Sequence, residues 1–280
     1  MLDAGALLDR IVKLIESGGL ILPVYDPVAI KLQKAIANNS EDMLEIESLI
    51  LNDQSLAAEV LRAANSPFYC GLSPVRTIRN AIVRLGTHQM RRLVILVSEH
   101  NKYKARHPDL QKMLSDLWRH ASTTALGAQW LSKRLRSTGI EEICFLGGLL
   151  HDIGKLIILR ALDEIIRSEG DTFLKSTESL NEVLPAAHCQ IGFSLLQKWN
   201  VPEIYCQIAR DHHSENIPSG DLPLIIVRLA NNGSRKLGLG LDPKPSLAVE
   251  TTPEANMLGI GEVLLSELES MLQEHLFIAA

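Results

Sequence analysis

From Pro108 to Trp130 the chain reads PDLQKMLSDLWRHASTTALGAQW. Leu114, Leu117, Trp118, Ala121, Ala125 and Trp130 recur at the spacing of one helix face, and Pro108 suits a first turn, where its missing N–H has no intrahelical partner to lose. The stretch predicts one long helix, with His120 midway along it. The same periodicity runs outward in both directions. Towards the N-terminus, Leu7, Leu8, Ile11, Leu14 and Ile15 form a first helix closed by Gly18-Gly19. Asp26-Pro27 opens a second helix, and a third follows Ser40, where Glu41 and Asp42 suit a positive helix N-terminus. A fourth runs from about Gln54 to Asn65-Ser66-Pro67. Ile78, Ile82 and Leu85 make a fifth, stopped by Gly86, and Thr87 is placed to cap a sixth. Towards the C-terminus, helices are expected over about Glu141 to His151, Leu156–Ser168, Ala187–Trp199, Pro202–Asp211, Leu222–Lys236 and Gly261–His275, with a Pro-containing loop at Leu239–Thr252. No alternating strand pattern appears. The expectation is an all-α fold.

The polar, basic segment from Asn101 to Pro108 reads as a seam between two packed helical sub-domains, residues 1–105 and 106–280. The chain has 280 residues, 46% of them hydrophobic, enough for a substantial core. Its net charge of −5 disfavours nucleic acid as a partner. Asp3 and Asp9 break what would be an apolar leader, and no apolar run reaches the ~20 residues of a membrane span. Cys70, Cys144, Cys189 and Cys206 form no C-x-x-C pair, and three of them read as buried thiols. These features predict a cytosolic protein with no membrane partner.

The stretch Leu149-Leu150-His151-Asp152-Ile153-Gly154-Lys155 carries the sharpest chemistry. Adjacent imidazole and carboxylate suit a divalent ion such as Fe, Mn or Zn. Lys155 stands one turn on and can meet a phosphate, and Gly154 permits close backbone approach. A His-Asp pair alone is more often a cap or ion pair. His120, His188 and His212-His213 strengthen the metal reading, because five imidazoles and one carboxylate suffice for two cations. Elsewhere the blander reading is favoured. Asn65-Ser66-Pro67 reads as a helix stop with Asn65 left-handed. Arg76, Arg79, Arg84, His88, Arg91 and Arg92 read as a solvated face. Trp118, Trp130 and Trp199 read as core, and His100, His107 and His275 as solvent-facing.

Several stretches, in order, resemble one family. Phe145-Leu146-Gly147-Gly148 running into His151-Asp152-Ile153-Gly154-Lys155, then Trp199-Asn200-Val201-Pro202 and His212-His213, is similar to an HDOD domain, a divergent branch of the HD phosphohydrolase superfamily. Leu22-Pro23-Val24 with Asp26-Pro27, Ala63-Ala64-Asn65-Ser66-Pro67-Phe68-Tyr69 and the helix Ile78–Gly86 resemble its N-terminal half. The likeness covers about residues 5–240. It implies metal-ligand roles for His120, His151, Asp152, His188, His212 and His213, as in the related HD-GYP phosphodiesterases, and a phosphate contact for Lys155. It also implies a late aspartate ligand, where this chain has Asn231, and a Gly-Tyr-Pro segment, where Ser214-Glu215-Asn216-Ile217-Pro218 stands instead. HDOD domains are generally viewed as non-catalytic signalling modules. The resemblance therefore implies an output or scaffold module that binds a regulatory protein or a nucleotide second messenger. The alternatives are a metal-dependent phosphohydrolase and a purely structural metal tie.

Overall fold

The computed structural model describes residues 4–17, 43–52, 54–66, 69, 71, 73–170 and 177–275. Among these the protein is all-α, with no strand. The expected helix starts at Asp26-Pro27 and Ser40, the Gly18-Gly19 stop, the Leu22-Pro23-Val24 stretch and Cys70 lie outside the described residues. No described helix is long and apolar enough to cross a membrane.

The chain divides into two compact units. One lies within the chain up to Tyr103 and contains α2 (Met43–Leu51), α3 (Gln54–Ala64), α4 (Ile78–Leu85) and α5 (Thr87–His100). Ile46, Ile50, Val60, Ile82, Met90 and Leu93 are buried on its inner faces. Thr77, not Thr87, is the capping hydroxyl here: it accepts from the Asn80 N–H, while Gly86 with its positive φ stands at the start of α5. Asn65 is not a left-handed stop, since the described non-glycine residues with positive φ are Arg136 and Asn200. Its amide instead donates to the Leu61 and Val75 carbonyls at 2.9 and 3.0 Å and accepts from Val75 N–H at 2.8 Å, pinning the loop to the helix end. The arginine-rich stretch is no single solvated face either. Arg76 and Arg79 are exposed, Arg79 pairing with Glu47 at 2.9 Å, but Arg91 and Arg92 point inward and are buried.

The other unit joins α1 (Ala4–Glu16) to the chain from Lys104 onward. It contains α6 (Pro108–Arg134), α7 (Glu141–Leu150), α8 (Ile153–Glu169), α9 (Thr177–Lys198), α10 (Glu203–Asp211), α11 (Leu222–Lys236), α12 (Pro253–Leu258) and α13 (Glu262–His275). The 27-residue α6 is the axle, packing on α7, α8, α11 and α13. His107 caps it, accepting from Asp109 N–H, and Lys133 and Arg134 meet its negative end. Leu110, Leu114, Leu117, Ala121, Ala125 and Ala128 are fully buried along its length. Helix α1 packs on α8 and α9, burying Leu7 and Ile11.

Three boundaries differ from expectation. Helix α9 begins at Thr177 and runs through Pro185 rather than starting after it. Leu180, Val183 and Leu184 are buried with Ala187, and that burial offsets the donor lost at proline. The expected loop ends in a 3₁₀ turn, Val249–Thr251. Thr252 then caps the short α12, which a left-handed Gly259 ends. His107 and His100 are half-buried rather than free on the surface, and the side chain of His275 lies outside the described set.

Candidate metal centre

Five elements bring the predicted residues to one point. His120 comes from the middle of α6, and His151 and Asp152 form the corner between α7 and α8. His188 comes from α9, His212 and His213 follow α10, and all but His213 are buried. The corner is tight because α8 starts directly against α9. A Cβ on Gly154 would lie 1.9 Å from the His188 carbonyl oxygen, so only glycine allows this approach. The turn after α9 is set by Asn200, whose left-handed φ of 54° lets Val201 N–H reach the Leu196 carbonyl at 3.0 Å. The turn after α10 is tied down by Arg228, which donates to the Asp211 and Ser214 carbonyls at 3.1 and 2.7 Å and pairs with buried Glu254.

Asp152 is the hub. Its Oδ2 lies 3.5 Å from His120 Nε2 and 3.4 Å from His151 Nε2, and its Oδ1 lies 3.5 Å from His188 Nε2 and 3.3 Å from His212 Nε2. The donor atoms fall into two groups that share this carboxylate: His120, His151 and Asp152, and Asp152, His188, His212 and His213. Each group is compact enough to hold a metal ion.

Proton placement decides what this arrangement wants. Nδ1 of His151, His188 and His212 lies 2.7, 2.7 and 2.9 Å from the carbonyls of Gly148, Leu184 and Ala209. A carbonyl only accepts, so each Nδ1 carries the proton and each Nε2 presents a lone pair. Lone pairs therefore face one another, with His188 and His212 Nε2 3.4 Å apart, and face the carboxylate. Asp152 Oδ1 is buried without a hydrogen-bond donor. His212 cannot supply one, its proton being committed to Ala209. Converging lone pairs around a buried anion repel unless a cation stands among them, so the residues fit a metal. His120 differs: its Nδ1 is buried without a partner, so no carbonyl fixes its tautomer.

The electrostatics agree. Burial drives the pKa of His120 and His212 down and that of His188 down to about 4, which keeps these imidazoles neutral and ligand-competent. Burial, the largest single influence, pushes the Asp152 carboxyl up, but Lys155 Nζ at 2.8 Å and the His151 and His212 imidazoles together outweigh it and hold the group well below the usual carboxylate range. Asn231, on α11, is buried and lines a small cavity together with His120, Lys155 and His213.

Three neighbours of the centre were not singled out by sequence. Cys189 places its sulfur 3.4 Å from His188 Nε2; its position next to His188 was the available signal. Arg235 and Gly240 had none. Arg235 lines the same small cavity, and Gly240, at a φ of 89°, lies against the His120 ring.

A model of the HDOD domain matches residues 22–215. Among solved structures, the chain is similar to an HDOD domain protein of unknown function from Geobacter sulfurreducens, with a TM-score of 0.74 and 22% identity over 97% of this chain and 96% of that one. A Shewanella amazonensis protein described, conjecturally, as a metal-dependent phosphohydrolase gives a TM-score of 0.68 at 20% identity, covering 98% and 100% of the two chains. A Marinobacter aquaeolei protein described, again conjecturally, as a signal transduction protein gives 0.67 at 20% identity, covering 99% of this chain and 64% of that one. At such identities the likeness speaks to the fold alone. An uncharacterized protein of Treponema pallidum is 24% identical over 216 residues, and the match spans 40% of its length.

Proposed function

The chain belongs to the HDOD domain family, and on that premise we propose that it is a signal-transduction output module. In this reading its His/Asp centre holds a divalent cation and binds a nucleotide-type ligand or a regulatory protein without turning a substrate over. One observation carries the reading: the buried amide of Asn231 stands in the cavity beside His120 and Lys155, where the superfamily resemblance calls for a carboxylate. Asp152 is then the one carboxylate in the described cage. A single negative charge balances one buried divalent ion poorly and two not at all, so this cage favours one cation, held by neutral imidazoles.

The second reading is a metal-dependent phosphohydrolase, favoured by the convergence of His120, His151, His188 and His212 on Asp152 with Lys155 alongside. His120, His151 and Asp152 would hold one ion, and Asp152, His188, His212 and His213 another. A bound ion would supply an acidified water near neutral pH. Lys155 would orient a phosphate oxygen. Elemental analysis of protein incubated with Mn, Fe or Zn, paired with turnover assays on cyclic dinucleotides, nucleotides and phosphomonoesters, separates the two. The signalling reading expects metal bound in the natural protein, lost in His151→Ala, with no turnover. Robust metal-dependent hydrolysis that disappears in His151→Ala would sink it.

A further inference from the structure

Beside the centre lies a cavity of about 680 Å³ in which Lys155, Arg235 and Lys244 all take part. Lys155 is already bonded to Asp152. The other two cations face a carboxylate from their own chain. Arg235 donates to Asp242 Oδ2, and its Nε–H donates to the Asp242 carbonyl at 3.1 Å. Lys244 Nζ lies 3.9 Å from the same Oδ2. The pair is unequal in setting: the Arg235 side chain is 12% exposed and that of Asp242 is 63% exposed. A guanidinium fixed on α11 is thus answered by a solvated carboxylate on a loop.

We propose that Arg235 and Lys244 form an anion subsite for a phosphate group, and that Asp242 is its built-in occupant, displaced when the phosphate enters. A phosphate dianion brings more charge and more acceptor oxygens than a carboxylate, and it matches the guanidinium fork at least as well. The Asp242 carboxylate is solvated, so on leaving Arg235 it returns to water while the phosphate takes over the guanidinium. Gly238 and Gly240 hold positive φ of 81° and 89°. The loop is anchored at both ends, by Leu239 N–H to Ser234 carbonyl and Lys244 N–H to Arg235 carbonyl. Between the anchors, Gly240 covers His120: a Cβ there would lie 3.0 Å from the imidazole. Displacing Asp242 therefore also uncovers the His120 side of the centre. The inference rests on reading the centre as ligand-binding, and it needs no metal.

Titration calorimetry on the full chain with inorganic phosphate and with AMP, in chelator throughout, tests it. Asp242→Asn is expected to bind phosphate roughly two- to five-fold tighter than the natural protein, since its internal competitor is weakened. Arg235→Gln and Lys244→Gln are expected to bind at least about five-fold more weakly. AMP binding tighter than phosphate assigns the subsite to phosphate esters, and equal affinity assigns it to free phosphate; both support the proposal. Unchanged or weaker binding by Asp242→Asn overturns it, as does full binding by Arg235→Gln. Hydrogen exchange on the natural protein is independent of any variant's folding: the amides of 240–242, between the two anchors, should exchange faster with phosphate, and unchanged exchange overturns the displacement. With chelator present, failure here leaves the metal reading intact, and failure to load metal leaves this one intact.

Discussion

A side-chain amide lends an oxygen to a cation without lending a charge. Under the proposed reading Asn231, buried beside His120, therefore leaves the cage a charge short of a carboxylate at the same place. Asn231→Asp should act in opposite directions with and without metal. In chelator a second carboxylate joins Asp152 in a buried space, and the melting temperature should fall. With Mn²⁺ the affinity should rise on the order of ten-fold or more, as a charged ligand replaces a neutral one. Calorimetric Mn²⁺ titration and thermal melts read both, and no change in either would put Asn231 outside the coordination sphere. The ligand-type residues were legible in sequence because His and Asp in such number suggest one chemistry. Arg228, Arg235 and Cys189 were not, because a lone cation or thiol on a helix is by default solvent-facing or inert. Only the fold shows Arg228 tying the turn that holds His212 and His213.

At the scale of elements, the crossing of α8 and α9 carries the centre. Gly154 on α8 faces the His188 and Gly192 backbone on α9, and its missing Cβ is what lets Asp152 and His188 meet. Gly154→Ala should destabilise the protein by about 3 kcal/mol or more, since the clash is with backbone that cannot rotate away. It should also weaken metal binding, because relieving the clash moves His188. Gly192→Ala, whose Cβ would meet Gly154 N at 3.3 Å, should cost less. Urea unfolding of both variants checks the order, and a Gly154→Ala variant as stable as the natural protein would contradict the crossing. Sequence reading admitted close backbone approach at Gly154 but could not say to what. Nor could it carry α9 through Pro185, because local propensity argues for a stop there. Burial of Leu180, Val183 and Leu184 beside Ala187, a tertiary effect, decides otherwise.

Over the whole molecule, the all-α architecture followed from periodicity, but partners did not. The face of Leu7 and Ile11 was readable; that it buries against α8 and α9, more than a hundred residues on, was not. The same long-range assembly makes global stability depend on the centre's protonation. His120, His188 and His212 come from α6, α9 and the end of α10, and folding buries all three in neutral form. Their folded pKa values lie below the unfolded value of about 6.5, so the unfolded chain takes up protons that the folded one refuses. Stability is therefore full above pH 6.5 and falls as pH drops from there, for His188 until about 4. That residue alone corresponds to at most about 3 kcal/mol, on the order of 1.4 kcal/mol per unit. Asp152, with its depressed pKa, acts in the same direction at lower pH. Metal adds to the slope, because binding requires the same unprotonated nitrogens. In chelator, the melting temperature should fall steadily between pH 6.5 and 5, and His188→Gln should flatten that fall, while added Mn²⁺ should raise melting more at pH 7.5 than at pH 5. A melting temperature indifferent to pH across this window would mean that the histidines accept protons freely in the folded state, and the buried, neutral cage would not exist.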